Sequence, residues 1–206
     1  KGVVPEEPAT DGRFATYPPF RPAADEVLVE EASRMLSVAE RPVIVAGGGA
    51  RASRAGTVIT EFAHRCDIPI VTSADGKGVI DETDPLWTGV VGGYSMACAN
   101  RTMHRADLVL YFGSGVGDQV TADWRLPEAG TPIIQVDIDP AQLGRNYPGV
   151  LGMAGDARRV AEQLLAAVPA LKRPSWTAEA AGYVQEWYRD HKGYLTSEAE
   201  SIRPER

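Results

Sequence analysis

Cysteine is scarce in these 206 residues: only Cys66 and Cys98 occur. Two thiols build neither a disulfide framework nor a four-thiolate zinc site, so both read as small apolar core residues. The three histidines, His64, His104 and His191, lie far apart and lack metal-ligand spacing. They read as surface or helix positions. No run of about 18 uncharged apolar residues exists, which excludes a membrane-spanning helix. Basic residues are outnumbered, 21 Lys and Arg against 28 Asp and Glu, for a net charge of −7. That balance argues against a general nucleic-acid binder, which needs a basic face. There is no initial Met and no apolar leader at Lys1, so the chain reads as a cytoplasmic piece of something longer.

What is present is an ordinary globular composition, 44% hydrophobic and 24% charged. A chain of this length buries roughly 70% of the surface its unfolded form exposes. Residues 1–22 carry five prolines, Pro5, Pro8, Pro18, Pro19 and Pro22, and read as an extended linker. From Ala23 the pattern predicts a helix with Leu28, Ala32, Met35, Leu36 and Ala39 on one face. Short apolar runs at 42–46, 68–72, 107–112 and 132–137 read as buried strands, with a short fifth at 149–153. Helical stripes lie between them: Ala55, Val58, Ile59, Phe62, Ala63 and Cys66; a stretch at 94–105; and 157–168, with Asp156 as its N-cap. Residues 76–93 read as a long polar loop, with Asp81, Glu82 and Asp84 a solvated charge run. Residues 169–174 read as a second linker and 176–192 as a last helix. Strands alternating with helices predict a doubly wound α/β domain over 23–168, its parallel sheet covered on both faces.

Ligands of such sheets bind beyond the carboxyl ends of the strands. Three ends carry suitable residues. Gly47-x-Gly49-x-x-Ala52 follows a strand and opens a helix, an arrangement that suits a phosphate; chain packing alone is the other reading of these glycines. The next strand ends Val71-Thr72-Ser73, without the acid of a nicotinamide fingerprint. Gly113-Ser114-Gly115-Val116-Gly117 follows the third strand and clears space for a ligand or a neighbouring backbone. Asp137-Ile138-Asp139-Pro140 ends the fourth, placing an acid where it serves a ribose, an adenine amine, or a turn at Pro140. No catalytic set stands out: there is no nucleophile elbow and no His/Cys or paired-carboxylate arrangement.

The segments RPVIVAGGGA (41–50), CDIPIVTSADGKGVIDETDPLWTGVVGG (66–93), ANRTMHRADLVLYFGSGVGDQVT (99–121), IIQVDIDPAQLGRN (133–146) and GDARRVAEQLL (155–165) are familiar together. In this order they resemble the central domain of thiamine-diphosphate-dependent enzymes of the acetolactate synthase and pyruvate oxidase type. The resemblance implies a six-stranded, Rossmann-like parallel sheet. It implies a linker at 1–22 from a missing pyrimidine-binding domain and, at 169–206, a linker and helix toward a missing diphosphate-binding domain. It implies thiamine diphosphate and magnesium bound outside this segment, since no Gly-Asp-Gly triplet occurs here. The parent would be a transferase or lyase of 2-oxo acids, acting by decarboxylation and aldehyde transfer as a homodimer or tetramer, and this segment would carry no catalytic residue. FAD or ADP is the ligand implied for this domain. It would lie near Gly47, Gly48 and Gly49, Thr72 and Ser73, and Gly92, Gly93 and Tyr94. Its adenosine end would meet Asp137 and Ile138, beside Gly155, Asp156 and Ala157.

Two departures accompany the resemblance. Acetolactate synthases usually read Gly-Val-Arg-Phe-Asp-Asp-Arg where this chain has 113–119, so both arginines are absent. They favour Gly-Met-x-Gly-x-His-Gly where this chain has 89–95. The alternatives left open are a free-standing nucleotide-dependent enzyme, sirtuin-like or NAD-dependent, and a pure interaction module.

Overall fold

The computed structural model describes residues 20–196. Most of the first linker and the tail after 196 lie outside the described residues. Helix α1 (Glu26–Val38) starts where the Asp25 carboxylate accepts from the Val27 N–H at 2.9 Å. This is the cap that a short acidic side chain supplies. Its buried side chains are Val29, Ala32 and Leu36, with Leu28, Met35 and Ala39 packed at the edge of the same core.

Strand β1 (Pro42–Ala46) is buried throughout. Its side chains alternate between two cores, as strand geometry requires. Ile44 and Ala46 join one core, Val43 and Val45 the other. Then follow α2 (Gly48–Ala52), α3 (Gly56–Cys66), β2 (Ile70–Thr72), β3 (Trp87–Val90), α4 (Ala97–His104), β4 (Leu108–Phe112), β5 (Ile133–Asp137), β6 (Leu151–Ala154), α5 (Ala157–Ala167) and α6 (Pro174–Leu195). Helices α1, α3 and α5 cover one face of the sheet, and α4 with α6 covers the other.

The six strands are all parallel, in the order β3-β2-β1-β4-β5-β6. The chain therefore winds outward from β1 to β3, returns beside β1 as β4, and winds outward the other way. The reversal falls between β1 and β4, the point at which such sheets open a crevice.

Strand β3 supplies the sixth strand that the family resemblance implies, and corrects the reading of the residue pattern, which took 76–93 as loop and gave five strands. Its four residues are buried, but Gly89 interrupts them at φ +111, and a glycine within a short edge strand erases the strand pattern. The coil at 169–173 is fixed rather than slack. Its Arg173 guanidinium donates to the Leu36, Ala39 and Cys66 carbonyls, and the Arg173 N–H to the Asp67 carboxylate at 3.0 Å. These carbonyls end α1 and α3, where helix dipoles favour a cation. Trp176, at the start of α6, is buried and donates its indole N–H to the Pro42 carbonyl at 2.8 Å.

Candidate functional site

The carboxyl ends of β1 and β4 meet backbone to backbone. The Gly47 N–H donates to the Phe112 carbonyl at 3.0 Å and the Gly49 N–H to the Gly113 carbonyl at 2.8 Å. A Cβ on Gly47 would sit 2.4 Å from the Gly113 oxygen, and one on Gly113, at φ +58, would sit 2.6 Å from the Ala50 nitrogen. Only hydrogen fits between these chains, so packing accounts for Gly47, Gly49 and Gly113. Gly48 differs: a Cβ there would approach the Asp75 Cβ at 3.2 Å, across an open cleft.

Two clefts flank this crossing, and Gly49 and Gly113 line both. The first, about 210 Å3, is bounded by Ala52 and Ser53 on one side and Asp137, Ile138, Asp156 and Ala157 on the other. The second, about 370 Å3, lies between Gly48, Ser73, Ala74, Asp75 and Val91 and the loop 114–120.

Asp137 ends β5 and faces the first cleft. Its carboxylate accepts from the Asp139 N–H at 3.0 Å. Burial pushes its pKa above the usual carboxylate range, and the neighbouring Asp139 charge adds to the rise. Asp156 is 1% exposed and fully engaged. It caps α5 through the Arg159 N–H at 3.0 Å and receives the Arg21 guanidinium on both oxygens. Arg21 also reaches the Ser53 carbonyl, so it spans from one wall of the first cleft to the other. Gly155 donates to the Asp137 carbonyl at 2.9 Å and is packed against Val160.

The structure brings Gly49, Asp137, Ile138, Asp156 and Ala157 together in the first cleft, and Gly48, Gly49 and Ser73 in the second. Thr72 is fully buried beneath them, and among the described residues its hydroxyl finds no hydrogen-bond partner. Gly92, Gly93 and Tyr94 line neither cleft. Both backbone groups of Gly92 are taken by Asn100, Gly93 donates to the Gln119 carbonyl at 2.7 Å, and Tyr94 is 82% exposed. Sequence reasoning missed Asp75, Ser53 and Arg21, which no local pattern marks. Neither cleft lining includes a lysine, arginine or histidine, but the linings include Asp75, Asp118, Asp137 and Asp156. Among the described residues no three His, Cys, Asp or Glu gather as metal ligands.

Comparison with known proteins decides the family. The model of the thiamine pyrophosphate enzyme central domain matches residues 29–164. The chain belongs to this family. It is 37% identical over 144 residues to a protein named probable acetolactate synthase large subunit from Methanocaldococcus jannaschii, covering 70% of this chain and 24% of the relative. It is 32% identical over 174 residues to glyoxylate carboligase of Escherichia coli O157:H7, covering 81% and 29%. It is 37% identical over 153 residues to a probable 2-ketoarginine decarboxylase of Pseudomonas aeruginosa, covering 72% and 26%. The chain thus spans about a quarter of the length of the curated relatives it matches. The thiamine pyrophosphate central domain also accounts for the six parallel strands, and no helix described is long and apolar enough to cross a membrane.

Proposed function

We propose that this chain is the non-catalytic central domain of a thiamine-diphosphate- and magnesium-dependent enzyme of 2-oxo acids, serving as scaffold and as an adenine-nucleotide site. The reaction class, decarboxylation with aldehyde transfer, is the one the family resemblance implies, and relatives named as a synthase, a carboligase and a decarboxylase support it. The missing Gly-Asp-Gly triplet supports placing thiamine diphosphate and magnesium on other parts of a cytoplasmic, oligomeric enzyme. Residues 1–22 and 169–206 would then connect the neighbouring domains.

The observation that carries the nucleotide reading is the pair of clefts meeting at the β1–β4 reversal, with the Asp137 carboxyl in one wall. The residues present fit the adenosine half of such a ligand: Asp137 accepts hydrogen bonds, and Ile138 and Ala157 offer apolar contact. They fit a diphosphate less well. No cation lines either cleft, and the Gly47 and Gly49 N–H groups already donate to carbonyls. Gly48, Ser73 and Ser114 are left to meet phosphate oxygens, so FAD or ADP binds weakly. FAD would bring redox capacity to the site and ADP none.

Calorimetric titration of the chain with ADP and with FAD tests this. Asp137→Ala should weaken binding about fivefold to tenfold, the loss of one or two hydrogen bonds. Gly48→Val should abolish it, because the added methyls enter the gap toward Asp75. Equal binding by both variants overturns the site.

A further inference from the structure

The wall of the second cleft contains a mismatch between residue type and backbone. Val116 has φ +46 and is, among the described residues, the one β-branched side chain in the left-handed region. That region crowds a branched Cβ and is a genuine outlier for it. Val116 sits between Gly115 and Gly117, the residue type that enters this region without strain. Yet neither glycine is left-handed, and a Cβ on either would meet nothing within 4 Å. Neither packing nor the present backbone requires glycine at 115 or 117. The freedom stands on both sides of the residue that is strained.

The hydrogen bonds of this stretch are one-sided. The exposed Asn146 donates its amide to the Gly115 carbonyl at 3.3 Å and to the Val116 carbonyl at 3.0 Å. Thr121 holds the Gly117 carbonyl at 2.9 Å. None of the N–H groups of 114–117 has a protein acceptor among the described residues. The Gly115, Val116 and Gly117 carbonyls are held, and all three residues line the second cleft.

Turning over the peptide between Gly115 and Val116 resolves the mismatch. That motion changes Gly115 ψ and Val116 φ together and leaves the Cα positions nearly in place. Val116 φ becomes negative, out of the region that crowds a branched Cβ, and its buried side chain stays near its packing partners. Gly115 supplies the conformational freedom. An N–H then stands where the Gly115 carbonyl stood.

We infer that the Gly115–Val116 peptide is a two-position element in the wall of the second cleft, latched by Asn146 in the orientation described and turned over when that latch is released. The strain in the first orientation keeps the second within reach. The Asn146 latch keeps the present orientation dominant.

Backbone 15N relaxation dispersion on the full chain tests this, because it reads exchange on the microsecond-to-millisecond scale. The Val116 and Gly117 amides should show exchange without ligand. Asn146→Ala should raise the minor population about fivefold, the effect of losing one hydrogen bond. Val116→Gly relieves the strain and should remove the exchange. Should the smaller residue unfold the loop, the surface change at Asn146 decides alone. Flat profiles at Val116 in both the parent chain and Asn146→Ala, or exchange that Asn146→Ala leaves unaltered, overturn the inference.

Discussion

One nitrogen of Arg21, Nη1, lies 3.0 Å and 3.1 Å from the two carboxylate oxygens of Asp156 and 2.7 Å from the Ser53 carbonyl. Through this contact the segment before α1 is tied to α2 and α5 at once. Asp156→Ala removes a helix cap and strands the guanidinium, and should cost about 2 kcal/mol or more. Asp156→Asn keeps a capping oxygen and should cost less than half of that. Urea midpoints of the two variants check the order; equal midpoints contradict it.

Gly113 and Gly182 should answer oppositely to alanine. At 113 the new methyl meets the Ala50 nitrogen and Gly49 Cα at 2.6 Å, in left-handed backbone. The backbone strain alone costs about 1–3 kcal/mol and the clash adds to it. At 182, inside α6, nothing lies within 4 Å, and Gly→Ala should stabilise by about 0.5–1 kcal/mol. Thermal melts that move in the same direction for both variants would refute the packing account of the β1–β4 crossing.

Asp137 gives a pH dependence with a definite sign. Its folded pKa is raised, by burial first. Between the ordinary carboxylate value and that raised value the folded state holds more protons than the unfolded chain. Stability from this group therefore falls as pH rises through that window. Asp137→Asn should remove this fall and be more stable than the parent above the window. Stability curves measured from pH 3 to 8 on both proteins should diverge as pH rises; curves that stay parallel count against the assignment.

Arg173 should be poorly replaced by lysine. Its fork reaches the carbonyls of Leu36, Ala39 and Cys66 together, which a single ammonium cannot do. Arg173→Lys should cost about 1–3 kcal/mol and Arg173→Ala more, since carbonyls at two helix ends lose a charged donor. Denaturant titration followed by tryptophan fluorescence reads this directly, as buried Trp176 lies three residues on.

Much of the fold was legible because its signals are local. The run Pro42–Ala46 is buried on both faces and looks it. Asp156 stands one residue before the α5 stripe and caps it. Trp87–Val90 was not legible, because Gly89 breaks a strand of four residues. The carboxyl-end cluster was legible as a region: Asp137, Ile138, Asp156 and Gly49 do come together. Residue roles within it were less so. Gly47 and Gly49 are explained by Gly113, which is far off in the chain. Asp75 lines the second cleft, and Arg21 ties Ser53 to Asp156 beside the first, only through tertiary contact, for which one sequence carries no periodic trace.

The glycine crossing of β1 and β4 also sets how this domain can change over time. Its contacts are made by backbone atoms, so the shape of the sheet's reversal does not depend on the side chains around it. Ala52, Ala74, Val91 and Gln119 line the clefts on either side without forming that crossing. Variation at these positions would reshape the clefts while the crossing holds its form. The form of the sheet's reversal is thereby separated from the chemistry of the clefts beside it.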